Sequence, residues 1–423
     1  MRYAALTLAR LAAVLAVVVL TALGATSAQA RHGEDGQQLP PLPVDPPPLP
    51  VPTPTPTPPP VPPLPTGGNC RSATQPAGVD PRGAARGAPN PLNGLTFFVD
   101  PDEPAWHQWK RLQRQGKTYD ASLVEKLATR PKFRWFGKWT RHGPKLVSTI
   151  REYLAHVDCT QPGAVPLMAV MRHQGRACNP HYRAGGRRED ARQRGWYRRF
   201  ARGVGSHRVV IAFEPDSLGT VHCLARSRRK ARLRTLRYGV KLFSRLPNAT
   251  VYLEAGASDW DSARHTARQL RYIGIRRVRG FMLNVTHYDW TSRNIRHGRK
   301  ISRLVGGKHF IISTSNNGRG PVHFRNYRGR HDWRVVNVWC HPLMRGLGPA
   351  PTADTHKAKV DAYMYIGRAG YSSGHCNGGP SRVGAWWPAR ALMFGKYATQ
   401  WIGPPHGSRN GFFGHLSLRQ LGG

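Results

Sequence analysis

Eight short runs rich in β-branched and aromatic residues punctuate the stretch from 133 to 366. They are 133–136, 165–171, 208–213 (RVVIAF), 250–253 (TVYL), 278–285 (VRGFMLNV), 309–313 (HFIIS), 333–338 (WRVVNV) and 360–366 (VDAYMYI). Their length and composition suit strands buried on both faces. Between them, residues 189–202, 226–246 and 261–273 place apolar side chains near a period of 3.6 among Arg and Lys, which marks amphipathic helices. Strand and helix in alternation leave few topologies. Parallel strands joined by helical crossovers, repeated seven or eight times, close into a TIM-type barrel or a variant of it. The expected fold class is therefore α/β, with a parallel β/α barrel.

What precedes the alternation reads differently. Arg2 and Arg10 flank an apolar segment over 11–25, and Ala28-Gln29-Ala30 is a small-residue cleavage signal, so residues 1–30 are expected to be a signal peptide. An uncleaved anchor is the alternative. Residues 31–69 form a proline-rich linker, with Thr53, Thr55 and Thr57 between prolines; fixed φ and missing donors make it a stiff polyproline spacer or a plain tail. The folded unit is then 70–423, with its core at about 90–423. The whole chain's 12 Trp, 14 Tyr and 13 Phe exclude a chain disordered throughout. Only one apolar run nears a span's length, which excludes a multispan membrane protein.

Export gives the six cysteines, Cys70, Cys159, Cys178, Cys223, Cys340 and Cys376, a disulfide reading, although the sequence alone chooses no pairing. No Cys-x-x-Cys and no His/Cys group with zinc spacing occurs, so neither a metal nor a cofactor is expected. The formal net charge of +42 predicts adherence to an anionic polymer such as teichoic acid, an acidic polysaccharide or nucleic acid; the alternative is a merely solvated surface. No nucleic-acid motif accompanies the charge, so no specific nucleic acid is expected. The chain reads as a secreted, cell-wall-associated or free monomer with no membrane contact after cleavage.

In a barrel the chemistry gathers past the C-terminal ends of the strands. Trp135 ends the first run, Arg172, His173 and Arg176 follow the second, and Glu214-Pro215-Asp216-Ser217 follow the third. Glu254, Asp259 and Trp260 come after the fourth, Asn284 ends the fifth, and Ser315, Asn316 and Asn317 follow the sixth. Trp339 and Tyr371 come after the last two. Indoles that stack on sugar rings, with amides and carboxylates for the hydroxyls, describe a carbohydrate site.

These residues carry a resemblance. Asn90-Pro91-Leu92 to Phe98-Val99-Asp100, the run Glu214-Pro215-Asp216-Ser217-Leu218-Gly219, Ala255-Gly256, Asn284-Val285, Thr314-Ser315-Asn317-Gly318, Trp339-Cys340 and Gly384-Ala385-Trp386-Trp387 resemble the motifs of glycoside hydrolase family 6, over nearly all of 90–423. The resemblance implies a distorted, incomplete β/α barrel and inverting hydrolysis of a β-1,4-linked glucan, with Asp216 as general acid. It puts Trp135, Trp260, Asn284 and Trp339 at sugar-binding positions. It implies disulfides Cys178–Cys223 and Cys340–Cys376, which leaves Cys70 and Cys159 for each other.

The departures bear on function. Where the family carries an Asp that helps keep the acid protonated, this chain has Ala177. Where it carries a Lys, a Glu and an Asp usually taken as the base, this chain has Gly367, Tyr371 and Ser373; Glu254 and Ala257 replace an Asp and a His. Arg172 and Arg176 would favour the charged form of Asp216. Ser373 has no useful basicity at neutral pH, so Glu254, Asp259 or solvent would have to serve as base, or a different substrate would bring its own acidic group. Glu254, which immediately follows a strand, is favoured. The contrasting reading is a catalytically inactive polysaccharide- or wall-binding protein on the same scaffold.

Overall fold

The computed structural model describes residues 70–83, 88–141, 143–173, 186–321 and 340–404. The expected signal peptide and spacer, Arg176, Ala177, Cys178, the 333–338 run and Trp339 lie outside the described residues. Among the described residues, seven strands follow one another in the sheet in chain order: β1 (Arg134–Gly137), β2 (Leu167–Met171), β3 (Val209–Phe213), β4 (Ala249–Glu254), β5 (Gly280–Leu283), β6 (His309–Ser313) and β7 (Val360–Met364). Every neighbouring pair is parallel. Helices α1 (Pro104–Arg114) and α2 (Thr118–Ala128) precede β1. Then come α3 (Pro144–Thr160), α4 (Arg187–Val204), α5 (Arg226–Phe243), α6 (Ala263–Ile273) and α7 (Thr291–Leu304), each leading to the next strand, and α8 (Pro388–Lys396) follows β7.

The strands obey a period of two on both faces. Leu167, Ala169, Val210, Ala212, Tyr252, Met282, Ile311, Ala362 and Met364 fill the inside of the curl. The intervening Met168, Val170, Ile211, Phe213, Leu253, Phe281 and Phe310 pack against Ile150, Phe200, Val240, Leu270 and Ile301 of the surrounding helices. That double burial explains why the strands read as continuous apolar runs rather than as polar–apolar alternation.

Closure is minimal. Among the described residues, one parallel bridge joins Lys132, just before β1, to Tyr365, just after β7, where the Phe133 amide donates to the Tyr365 carbonyl at 3.1 Å. The curl is thus an incomplete barrel with a seam between its first and last strands. Inside it, Asp361 of β7 accepts from Arg279 at 2.8 Å and from Tyr252 at 2.7 Å, with His309 Nδ1 at 2.8 Å. Burial works against the Asp361 carboxylate, but Arg279 and His309 hold its pKa below the ordinary value.

Cys70 is bonded to Cys159 at the end of α3, and Cys340 to Cys376. Cys223 is also disulfide-bonded. Backbone bonds between Arg71 and Asp158 and between Gly163 and Arg71, at 3.1 and 2.8 Å, reinforce the first bridge.

Candidate active site

The turn after β3 carries the strongest motif in the chain. Glu214 and Asp216 both adopt left-handed backbone conformations, with φ of 58° and 67°. Such conformations cost non-glycine residues energy and persist only where surroundings fix them. Here they are fixed from three sides. Glu214 is fully buried and accepts from the amides of Arg172 and His173 at 3.0 and 2.9 Å, from His173 Nδ1 at 2.6 Å and from the Tyr197 hydroxyl. Burial alone would raise its pKa, but His173 and Tyr197 together bring it below the ordinary value. Glu214 is therefore an anchor, and Asp216, two residues on and only half-buried, is the carboxyl left for chemistry.

Asp216 Oδ1 accepts from Thr286 Oγ1 at 2.6 Å. Thr286 stands in the loop after β5, a position the sequence reading passed over although it adjoins Asn284-Val285. Beneath the turn lies Glu254, at the end of β4 and 3% exposed. Its Oε2 accepts from the Leu218 amide at 2.7 Å and the Gly219 amide at 3.4 Å, and its Oε1 from the Gly256 amide. Burial first, then the neighbouring Asp216 charge, push Glu254 up to about 8 against the pull of those amides. One oxygen is thus committed to the turn that carries Asp216 and the other to the loop after β4.

Trp260 closes the other side. A side chain at Gly219 would meet its indole at 2.6 Å, so glycine there lets the ring lie against the turn. The indole stacks on His287 at 4.4 Å with an interplanar angle of 15°, and His287 Nδ1 is 2.8 Å from Asp259 Oδ1. Asn284, with φ 66° and 1% exposed, turns its amide nitrogen to the Asp289 and Ser313 carbonyls, each at 3.1 Å. It ties the loops after β5 and β6 together from within the core. Arg172, expected beside Asp216, instead pairs with Glu189 at 2.8 Å.

The seam between β1 and β7 forms a second part of the mouth. An open cleft of about 230 Å³ there is lined by Glu103, Lys132, Trp135, Trp139, Arg368 and Tyr371, among others. Trp135 is oriented by its indole N–H, which donates to the Ile366 carbonyl at 2.8 Å. Tyr371 donates to Glu103 at 2.8 Å, lies under the Arg368 guanidinium at 4.3 Å and meets Trp386 edge-on. Asp216, Glu254 and Trp260 do not line this cleft.

The altered positions are consistent with one another. A side chain at Gly367 would meet the Val285 carbonyl at 2.4 Å and Ser315 Oγ at 2.6 Å, so no lysine fits there without moving backbone. Ser373 is exposed, and its amide donates to His341 Nε2 at 2.7 Å. Among the described residues, two groups have metal-like donor geometry, Cys340, His341 and Cys376, and Asp100, Asp102 and His156. The first is spoken for by the Cys340–Cys376 disulfide, and in the second Asp100 is paired with Arg134 at 3.1 Å.

Comparison with known proteins places this geometry. Endoglucanase A of Cellulomonas fimi is 30% identical over 73% of this chain and 62% of its own length. Endoglucanase 1 of Streptomyces halstedii is 28% identical over 71% of this chain and 88% of its own. The chain thus spans under two thirds of the first of these relatives. Among solved structures, the endoglucanase Cel6 from Mycobacterium tuberculosis, in complex with a thio-linked cellobioside, superposes with a TM-score of 0.63 and 32% identity over 72% of this chain and 98% of that one. Endoglucanase CEL6B from Humicola insolens shares the fold at 20% identity and a TM-score of 0.59, over 74% of this chain and all of that one. The profile of the Glycosyl hydrolases family 6 matches residues 92–398, and with the strand order and these relatives in agreement, the chain belongs to that family.

Proposed function

We propose that the protein is an exported glycosidase that hydrolyses β-1,4-linked glucan with inversion, and that Asp216 is its general acid. The observation that carries the reading is the Asp216 turn itself: a half-buried carboxyl at the C-terminal end of β3, held in a left-handed conformation by Thr286 from beside it and Glu254 from beneath. Asp216 gives its proton to the glycosidic oxygen as the C1–O bond breaks. Water attacks C1 from the opposite face, and its proton passes to a base.

Glu254, whose two oxygens already accept backbone amides, is better suited to positioning Asp216 than to receiving that proton. Asp259 then remains, poised beside Trp260 with His287 on its carboxylate. Trp135 and Trp260 supply stacking surfaces, and Trp339 stands at the corresponding position on the sequence. The relatives' names as endoglucanases support the substrate class. The signal-like residues 1–30 and the proline-rich 31–69 support export on a spacer.

Incubation with β-glucan and cello-oligosaccharides, followed by reducing-end assay, tests the reading. Wild type should release ends and Asp216→Asn should not; equal baselines rule out hydrolysis of these substrates. Asp259→Asn should lose most turnover and regain part of it with azide. One observation favours the second reading, a non-hydrolytic polysaccharide binder: Ser373 at the usual base position and the tight Gly367 leave no carboxylate or lysine there. Pull-down on insoluble glucan by a protein that releases no ends would select it.

A further inference from the structure

The surplus of positive charge is not spread evenly over the fold. Helices α5, α6 and α7 contain no acidic residue at all. On α4 the two acids, Glu189 and Asp190, are each already engaged by arginine, Glu189 with Arg172 and Arg192 and Asp190 with Arg228. By contrast α2 carries Asp120 and Glu125, and α3 carries Glu152 and Asp158. The four helices pack side by side in order, α4 on α5, α5 on α6 and α6 on α7, so they make one continuous outer face, away from the strand ends that carry Asp216.

On α5 the charges are aligned. Arg226, Lys230, Arg234, Arg237 and Lys241 are all exposed, while Ala231, Leu236, Val240 and Phe243 on the opposite side enter the core. Steps of three and four residues keep them on one stripe, about 22 Å long at the rise of an α-helix. Exposed Arg192, Arg268 and Lys300 continue the same chemistry on α4, α6 and α7.

We propose that this face binds a flexible, linear phosphodiester polymer of the cell envelope and holds the enzyme there. A row of guanidinium and ammonium groups takes phosphate by charge-assisted hydrogen bonds, guanidinium bidentately. The face is the convex outside of a curled sheet, corrugated by four helices. A rigid duplex would touch it along one line, and a stiff pyranose chain would bridge its grooves. An acyclic polyol phosphate follows the α5 stripe and crosses to its neighbours. The choice of an envelope polymer rests on the export proposed above; the binding face does not depend on the chemistry at Asp216.

Fluorescence anisotropy with labelled poly(glycerol phosphate), between 50 and 200 mM salt, tests the proposal on the full chain. Five contacts on a single strand predict a log–log salt slope of about −3.5. The triple variant Lys230→Gln, Arg234→Gln, Lys241→Gln should lower the slope's magnitude by about 2 and the affinity at 0.1 M salt about 100-fold. The triple Arg114→Gln, Lys117→Gln, Lys145→Gln removes the same charge from α1, the α1–α2 loop and α3 and should leave affinity within about threefold. Equal weakening by the two triples, or tighter binding of polygalacturonate or duplex DNA than of the polyol phosphate, overturns the proposal. Circular dichroism confirms that each variant is folded. Release of reducing ends from soluble cello-oligosaccharide should be the same in all three proteins, so a failure of the glucanase reading shows in that assay and not in the anisotropy.

Discussion

Replacement of Glu254 by glutamine separates its two candidate roles through the pH dependence of stability. In the fold its pKa stands at about 8, whereas an unfolded glutamate titrates near 4.3. Between those values the native state holds a proton that the unfolded state has released. The contribution of Glu254 to native stability is therefore greatest below about pH 4 and falls as pH rises towards 8, by about 1.4 kcal/mol per pH unit and about 5 kcal/mol across the window. Glutamine keeps the shape but not the titration. At pH 5 its amide nitrogen faces a backbone N–H, so Glu254→Gln should cost about 1–3 kcal/mol for a donor left without an acceptor. With rising pH the wild type loses its advantage, and above about pH 7 the variant should be the more stable protein. Urea unfolding followed by tryptophan fluorescence at half-unit steps from pH 5 to 8 measures the gap. A gap that stays constant or widens with pH would mean that the native carboxylate is ionised and held by the Leu218, Gly219 and Gly256 amides, and the reasoning would fail.

Arg279→Met should destabilise the fold by about 3–5 kcal/mol, because it strands Asp361 in the core with only Tyr252 and His309; denaturant titration at neutral pH reads the loss. Gly367→Lys should fail to restore family-like sugar binding and should cost about 1–3 kcal/mol or more, since its Cβ meets the Val285 carbonyl at 2.4 Å; calorimetry with cello-oligosaccharide and a melting curve check both halves. Tyr371→Phe removes the hydroxyl bond to Glu103 and should weaken oligosaccharide binding by a few-fold while leaving the melting temperature within a few degrees, as measured by tryptophan quenching.

The strands were legible because burial on both faces writes them as apolar runs. The 309–313 run coincides with β6, and 208–213 differs from β3 by one residue. Runs 165–171 and 278–285 were read too long at one or both ends, because the apolar loop residues Val165 and Val285 pack in the same inner core. Helices α1, α2, α3, α7 and α8 were not read. α7 is dense in Arg and His, and its buried face is made partly of Thr291, Asn294, Gly298 and Ser302, which carry little hydrophobic signal.

At the site, the Glu214–Gly219 turn, Asp259 and Trp260 were legible as a motif and as positions past a strand, but Thr286 and His287 beside them were not. Thr286 and His287 come from one loop, Asp259 and Trp260 from another, and only the curl of the sheet brings them together. The burial of Glu254 was likewise invisible. Its place at a strand end is shared by residues that face solvent and residues that face the turn beneath it.

The bond between Cys70 and Cys159 also decides how the fold bears load. A pull on the segment that precedes Cys70 enters the fold at that residue. The disulfide passes it directly to the end of α3 and on towards β2. Residues 71–158, which include α1, α2 and β1, sit inside the covalent loop and carry none of it. The weakly closed edge strand is shunted out of the line of force, and the pull arrives instead at a strand hydrogen-bonded to neighbours on both sides.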